Sequence, residues 1–210
     1  MAALAADLGR VGLTTSIWEK PGPLNDAEWE HVRLHPYWSE RLLIRAETTR
    51  TAGQLAGLHH ERLDGTGYHR GARRSALSTG ARVLCASETY VCLRRDRPHR
   101  AAMDPDQAGS ALRKLATADQ LDARAVNAVL AVAGDTGPRV RQTWPAGMTD
   151  REVDVLRAIA TGCSIGEAAR HLRLAAKTVD FHLQNIYAKA GVNSRAAATL
   201  FAIQNELLDV

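Results

Sequence analysis

Apolar positions in this chain recur at steps of three and four in one segment after another, the period of helices packed on a core. The clearest case is 177–190, KTVDFHLQNIYAKA. Val179, Leu183, Ile186 and Ala190 fall on one face, which points into a core. Lys177, Asp180, Phe181, Gln184 and Ala188 fall on the other, a face with a charge, an amide and an out-turned ring. Two capped helix starts precede it. Thr149-Asp150-Arg151-Glu152 and Ser164-Ile165-Gly166-Glu167 both read as capping boxes, and Met148 with Val153 sits where a hydrophobic staple belongs. The first helix carries Val153, Leu156, Ile159 and Ala160 and exits at Thr161-Gly162; the second is short, with Ala168, Ala169 and Leu172. A short helix, a tight turn and a longer two-faced helix make a helix-turn-helix. Ser194-Arg195 opens a fourth helix through Ala198, Leu200, Phe201 and Ile203.

The earlier part of the chain also reads as helices, so the fold class expected is all-α. Met1 to Leu8 is an apolar helical run with no cap before it, which predicts that an upstream part is missing, and Gly9 to Leu13 ends it. A loop with Lys20-Pro21-Gly22-Pro23 follows. Asn25 and Glu28 form a capping box, with Leu24 and Trp29 as its staple, opening a helix that carries His31 and His35 and runs up to Pro36. Further helices are expected from Ser39 to about Glu47, from Thr49 to His60, from Arg82 to Leu93, from Asp104-Pro105 through Leu115, and over 122–133. Residues 134–147, GDTGPRVRQTWPAG, lack periodicity and hold three glycines and two prolines, so they read as a linker in which Trp144 packs on a neighbouring domain. The expected organisation is a domain over 1–133, this linker, and a second domain over 148–210.

Composition adds little to that picture and contradicts none of it. The 210 residues are 45% apolar and 24% charged, ordinary for a globular chain, with only 5% aromatic residues and abundant alanine. Cys85, Cys92 and Cys163 have no metal-binding spacing and read as reduced cysteines. No apolar run reaches membrane-spanning length and no signal peptide is evident, so a cytoplasmic protein without membrane contact is expected. The net charge of +4 lies in residues 1–148, because 149–210 hold seven basic and seven acidic residues. Between 170 and 195, however, five basic residues face one acidic residue, which concentrates positive charge around the two-faced helix.

Met148 to Leu208 resembles the DNA-binding domain of LuxR-type transcription regulators. The likeness rests on MTDREVDVLRAIATG, SIGEAARHL and AAKTVDFHLQNIYAKAGVNSRAAA, which together are highly specific. It implies double-stranded DNA as partner, with the Lys177 helix in the major groove. Base-facing positions carried over by the resemblance are Asp180, Phe181 and Gln184. Gln184 suits adenine, Phe181 a thymine methyl, and Asp180 a cytosine amine, although Asp180 also repels phosphate. Lys177, Thr178, Asn185, Lys189 and Arg195 are the expected phosphate contacts, and His182 a structural hydrogen-bonder. The family pairs through its last helix, here Ala197, Ala198, Leu200 and Phe201, so a homodimer on a palindromic site is expected. The chain departs from the family at Ala175-Ala176, where a Ser or Thr cap is usual; its loss costs roughly 1 kcal/mol.

His59-His60-Glu61-Arg62-Leu63-Asp64-Gly65-Thr66-Gly67-Tyr68 resembles the signature of HD-GYP phosphohydrolases, which hydrolyse cyclic di-GMP at a multi-metal site. The likeness covers 1 to about 133 and includes Asp7-Leu8-Gly9-Arg10, Lys20-Pro21-Gly22, His35-Pro36 and Asp96-Arg97-Pro98. Metal-ligand positions carried over are Asp7, His35, His59 and His60, with Glu88 at the place of a late Asp. The His expected before Asp7 is Ala6, and further upstream ligands would precede Met1. Metal-assisted hydrolysis needs a fuller set. The expectation is therefore a transcription regulator with a degenerate, non-catalytic sensor or dimerisation domain, which requires no cofactor. The alternative is a metal-dependent cyclic dinucleotide phosphodiesterase with a DNA-binding tail. The histidines themselves read either as ordinary polar core residues or as a residual site for one divalent ion, iron or manganese. The basic loop Arg94 to Arg100, His99 included, reads as a solvated loop or as a grip for an anionic ligand such as a nucleotide phosphate; a protein ligand of this domain is also open.

Overall fold

Local capping decides where most of the helices begin. The structure is a computed structural model describing residues 1–97 and 100–208, so His99 of the basic loop lies outside the described residues. Its helices are α1 (Ala2–Ala5), α2 (Thr15–Trp18), α3 (Asp26–Arg33), α4 (His35–Leu43), α5 (Arg50–Ala56), α6 (Thr79–Leu93), α7 (Pro105–Thr117), α8 (Ala123–Val132), α9 (Asp150–Ala160), α10 (Ile165–Leu172), α11 (Ala176–Ala190) and α12 (Arg195–Gln204). The fold is all-α; among the described residues pairing of strand type is confined to the isolated bridges Asp64–Arg73 and Arg97–Arg100. The capping boxes at Asn25/Glu28, Thr149/Glu152 and Ser164/Glu167 are formed, and Asp104/Gln107 forms another. No helix is long and apolar enough to cross a membrane among the described residues.

The chain divides into two compact units, Met1–Val140 and Arg141–Val210. In the first, several boundaries differ from the periodicity. The opening helix is only Ala2–Ala5, followed by a tight 3-10 turn over Leu8–Gly12. Packing imposes that turn: a Cβ on Gly9 would lie 2.1 Å from the His35 carbonyl oxygen and 2.6 Å from the Ser39 nitrogen. The Gly9 amide donates to Ser39 Oγ at 2.8 Å, and Ser39 Oγ donates to the Ala6 carbonyl, so Asp7 is held against α4 from both sides. α4 begins at His35 rather than Ser39, because Pro36 falls in its first turn, where a missing N–H costs nothing. α5 stops at Ala56, well short of His60, and the Ala56 carbonyl is taken by His59 Nδ1 at 2.6 Å. α2 occupies a stretch that carries no periodic signal. Leu112, Val126, Cys85 and Ala86 form the centre of one core, and Leu63, Leu77 and Ala81 a smaller one.

The segment 134–147, read above as a linker, is mostly exposed but is tied down at particular residues. Arg113 pairs with Asp135, and the Asn127 amide donates to the Val140 carbonyl (2.8 Å) and accepts from its N–H (2.9 Å). In the second unit, Trp144 and Met148 are buried with Val153, Leu156, Ile159, Val179, Leu183, Ile186, Ala198 and Ala202. Trp144 Nε1 donates to Asp150 Oδ1 at 2.5 Å.

Candidate functional site

In the first unit, four side chains from three separate segments converge. Asp7 comes from the turn after α1, His35 from the first residue of α4, and His59 and His60 from the turn after α5. One ligand atom from each lies within 4.8 Å of all the others. His35 Nε2 is 3.1 Å from His59 Nε2, and Asp7 Oδ1 is 3.3 Å and 3.6 Å from these two nitrogens. The far side of each ring is fixed: His35 Nδ1 meets the Val32 carbonyl and His59 Nδ1 the Ala56 carbonyl, both at 2.6 Å. A carbonyl oxygen only accepts, so both Nδ1 atoms carry a proton, and both Nε2 atoms point toward each other and the carboxylate.

Two ring nitrogens and a carboxylate oxygen aimed at one point make a site that a cation would fill, and the Arg10 guanidinium, its Nε 2.8 Å from Asp7 Oδ1, is a positive charge already beside it. Asp7 Oδ1 is buried without a hydrogen bond, and so is Arg10 Nε. Burial raises the Asp7 pKa, but the neighbouring His35 and His59 rings and the Arg10 charge outweigh it and hold the carboxyl well below the usual range. Burial, with His59 and His35 beside it, pushes the His60 imidazole down, so it is neutral and its lone pair is free. Three imidazoles and one carboxylate, with the His35 and His59 rings oriented by backbone carbonyls, fit a divalent transition metal ion. Such an ion would acidify a bound water and polarise a phosphate oxygen. Glu88 is not part of this cluster; its Oε1 accepts from the Cys92 thiol at 2.9 Å. Burial and that carboxylate push the thiol up.

The loop after the histidines is built around Glu61. This buried carboxylate accepts from the Arg70 and Ala72 amides at 3.1 and 2.9 Å. Gly67 passes so close that a Cβ would lie 2.5 Å from Glu61 Cα, which explains a glycine there. The loop in this way brings Tyr68 over His60, stacked at 4.3 Å with the planes 26° apart. Tyr68, His35 and His60 line a cavity of about 370 Å³ together with Trp18, Trp29 and Arg10. Arg10 lies over the Trp18 ring at 4.4 Å. Arg97 and Arg100 of the basic loop line the same cavity, so that loop is not merely solvated. Trp18 was missed in the sequence because α2 carries no periodic signal.

In the second unit, α11 shows the two faces the spacing predicts. Val179 and Ile186 are fully buried, while Lys177, Asp180, Phe181, Gln184 and Ala188 are exposed. Thr178 and Asn185 are half-buried beside them. Ala175 is the N-cap of α11 and supplies no side-chain bond. Lys189 and Arg195 are engaged inside the domain: Lys189 Nζ donates to Glu152 Oε2 (2.7 Å) and the Gly147 carbonyl (3.1 Å), and Arg195 Nη2 to the Ile159 and Cys163 carbonyls (2.8 and 2.9 Å). Arg170, Arg173 and Lys177 are exposed and form no hydrogen bond or ion pair with their side chains among the described residues. His182, expected to hydrogen-bond, has a buried Nδ1 without a partner. On α12, Ala198 is buried and Phe201 leans on the core, whereas Leu200 and Ile203 are more than half exposed.

The family model described as "HD domain" matches residues 1–125. The chain belongs to the HD-domain family. A second model, described as "Bacterial regulatory proteins, luxR family", matches residues 146–202, so this HD-domain protein also carries a C-terminal LuxR-type domain. Similar characterised proteins match the HD part. A 3′3′-cGAMP-specific phosphodiesterase of Vibrio cholerae is 40% identical over 107 residues, 51% of this chain and 23% of that protein. A cyclic di-GMP phosphodiesterase of Pseudomonas aeruginosa is 32% identical over 117 residues, 55% and 28% of the two chains. The cyclic di-GMP phosphodiesterase response regulator RpfG of Xanthomonas campestris is 32% identical over 110 residues, 51% and 29%. The chain thus spans less than a third of the length of these relatives.

Proposed function

We propose that this HD-domain protein is a DNA-binding transcription regulator in which the HD-GYP-like domain acts as a non-catalytic sensor and dimerisation module. The observation that carries the reading is the polar face of α11. Lys177, Asp180, Phe181 and Gln184 are open on the side away from a fully buried stripe, the form a helix takes when it enters the major groove. Lys177, Thr178 and Asn185 then hold phosphate, with Arg170 and Arg173 on the preceding helix and turn. A homodimer paired through Leu200 and Ile203 of α12 reads two half-sites. The protein works without membrane contact, in the cytoplasm.

The non-catalytic part of the reading is supported by the ligand set. Ala6 stands where the HD-GYP resemblance asks for a second ligand beside Asp7, and Glu88 accepts from Cys92 instead of joining the cluster. The remaining residues suit one iron or manganese ion, and the aromatic and cationic walls of the adjoining cavity suit a nucleotide as the sensed ligand. A second reading, hydrolysis of a cyclic dinucleotide, is favoured by the converging ligand atoms of Asp7, His35, His59 and His60 and by the relatives' activities. Purified full-length protein, loaded with manganese or iron and given 3′3′-cGAMP or cyclic di-GMP, separates the two: intact dinucleotide is expected, and turnover abolished by His59→Ala overturns the non-catalytic reading. Gel-shift selection from random duplexes tests the DNA-binding part, and retention of no duplex overturns it.

A further inference from the structure

Helix α4 presents the wrong sides of itself to the core and to solvent. Its buried side carries His35, Pro36, Ser39 and Glu40. The polar groups among these are all engaged. His35 joins the histidine cluster, Ser39 Oγ holds the Gly9 amide and the Ala6 carbonyl, and Glu40 pairs with Arg70. The large apolar residues point the other way. Leu34 at the N-cap, Tyr37, Trp38 and Leu42 are 39%, 36%, 48% and 49% exposed. Steps of three and four make them the stripe that a helix normally turns to a core. The 3-10 turn Leu8–Gly12 lies against the same helix, where a Cβ on Gly9 would be 2.9 Å from Trp38 Cβ, and it leaves Leu8 and Val11 exposed as well.

The reading above gives this domain a dimerisation role, and the inference rests on it. Helix α12 offers two large exposed aliphatic side chains, Leu200 and Ile203. A half-exposed side chain of this size presents roughly 100 Å², so α12 brings roughly 200 Å² of apolar surface. A stable interface takes about 800 Å² from each partner, somewhat more than half of it apolar. The six side chains on α4 and its neighbouring turn bring roughly 500 Å², which meets that need. Their composition also suits an interface, because Trp, Tyr and Arg carry most binding energy, and Trp38, Tyr37 and Arg41 stand together here. Charge sets the orientation. Arg41 and Arg45 are exposed and form no hydrogen bond or ion pair with their side chains among the described residues. Two parallel copies of α4 would set these cations side by side. An antiparallel pair crossing at Trp38 keeps the two Arg45 about 20 Å apart along the axis and lays Leu42 on the partner's Leu34. We propose that a second copy of this chain docks on this face, α4 against α4, about a two-fold axis at Trp38.

The full chain without DNA, followed by sedimentation velocity over a micromolar concentration series, is expected to dimerise. Trp38→Lys removes an anchor from each copy and adds a cation beside Arg41. At about 30-fold per copy, the dissociation constant should rise about a thousandfold. Leu42→Lys, one turn away from the Gly9 contact, should raise it about a hundredfold and keeps the test open if Trp38→Lys does not fold, which circular dichroism shows. Leu200→Glu on α12 should leave the DNA-free dimer within about threefold of the parent. A parent that stays monomeric throughout overturns the inference and leaves the face to a different protein with acids opposite Arg41 and Arg45. A dimer indifferent to folded α4 variants, or one that Leu200→Glu dissolves, overturns it as well. Gel shifts on the same samples separate the two levels. A monomeric parent that still binds a duplex loses only the α4 interface, whereas a dimer that retains no duplex sinks the regulator reading.

Discussion

Lys189 Nζ lies 2.7 Å from Glu152 Oε2, which ties the last turn of α11 to the first turn of α9. The same carboxylate accepts from the Thr149 amide at 2.6 Å, so one buried group serves a capping box and an ion pair. In the unbound protein Lys189 therefore clamps two helices of the domain together. Lys189→Met leaves Glu152 buried without its cation. Breaking a fully buried pair costs ~3–5 kcal/mol. The Lys189 side chain is 34% exposed, so screening reduces the expected loss to about 1–2 kcal/mol. Urea unfolding measures it, and a variant as stable as the parent refutes the clamp.

The pH dependence of the same pair has a defined sign. Burial raises the Glu152 pKa, but the Lys189 and Thr149 hydrogen bonds outweigh it and hold the carboxyl below its ordinary value of 4.5. The folded state therefore favours the carboxylate. Its contribution is complete above about pH 4.5 and is lost as pH falls through the lowered native value. The stability gap between the parent and Glu152→Gln should be widest near neutral pH and close steadily below about pH 4. A gap that widens on acidification contradicts this assignment.

What could be read from the residue order was what is decided locally. The capping boxes at Asn25, Thr149 and Ser164 involve side chains three positions apart, and all are formed. The two faces of α11 follow from its period, and they too are present. What escaped was decided by distant contacts. Gly9 forces a 3-10 turn only because α4 lies against it, and His59 ends α5 by capturing the Ala56 carbonyl. The four-residue α2, which brings Trp18 to the cavity, has too few turns to show a period. Lys189 and Arg195 looked free for phosphate because nothing in their neighbourhood along the chain names Glu152 or the Ile159 carbonyl as partners.

The start of α11 leaves a stabilising change open. Its N-cap, Ala175, is exposed and already extended at φ −73° and ψ 145°, a conformation serine adopts without strain. Ala175→Ser should let the hydroxyl accept an amide of the first turn and raise unfolding free energy by about 1 kcal/mol. Thermal or urea unfolding reads it directly. A neutral result would mean that this helix end is already satisfied by other groups.

The histidine cluster makes a prediction about metal content that is independent of turnover. Manganese or iron binding by full-length protein, followed by calorimetry or elemental analysis, should be lost in His59→Ala and His35→Ala, each of which removes a ring oriented by a backbone carbonyl. Glu88→Gln should bind like the parent, because Glu88 accepts from Cys92 and takes no part in the cluster. If Glu88→Gln alone abolishes binding, the ion sits elsewhere than among Asp7, His35, His59 and His60.

The internal use of Lys189 and Arg195 also fixes how DNA binding should respond to salt. Of the five basic residues between 170 and 195, these two are engaged, which leaves Arg170, Arg173 and Lys177 to displace counterions. Each phosphate neutralised contributes about 0.9 to the slope of log affinity against log salt, so three contacts give a slope of about −3 per domain. Lys177→Ala should weaken binding to all sequences and make the slope shallower by about 1, whereas Gln184→Ala should relax sequence preference at an unchanged slope. Lys189→Met, compared at a temperature where it is folded, should leave the slope as it is. A parent slope near −4.5 per domain, about −9 for the homodimer, and made shallower by Lys189→Met, would show that the ammonium leaves Glu152 for phosphate when DNA arrives, and the clamp would then be a feature of the unbound protein only.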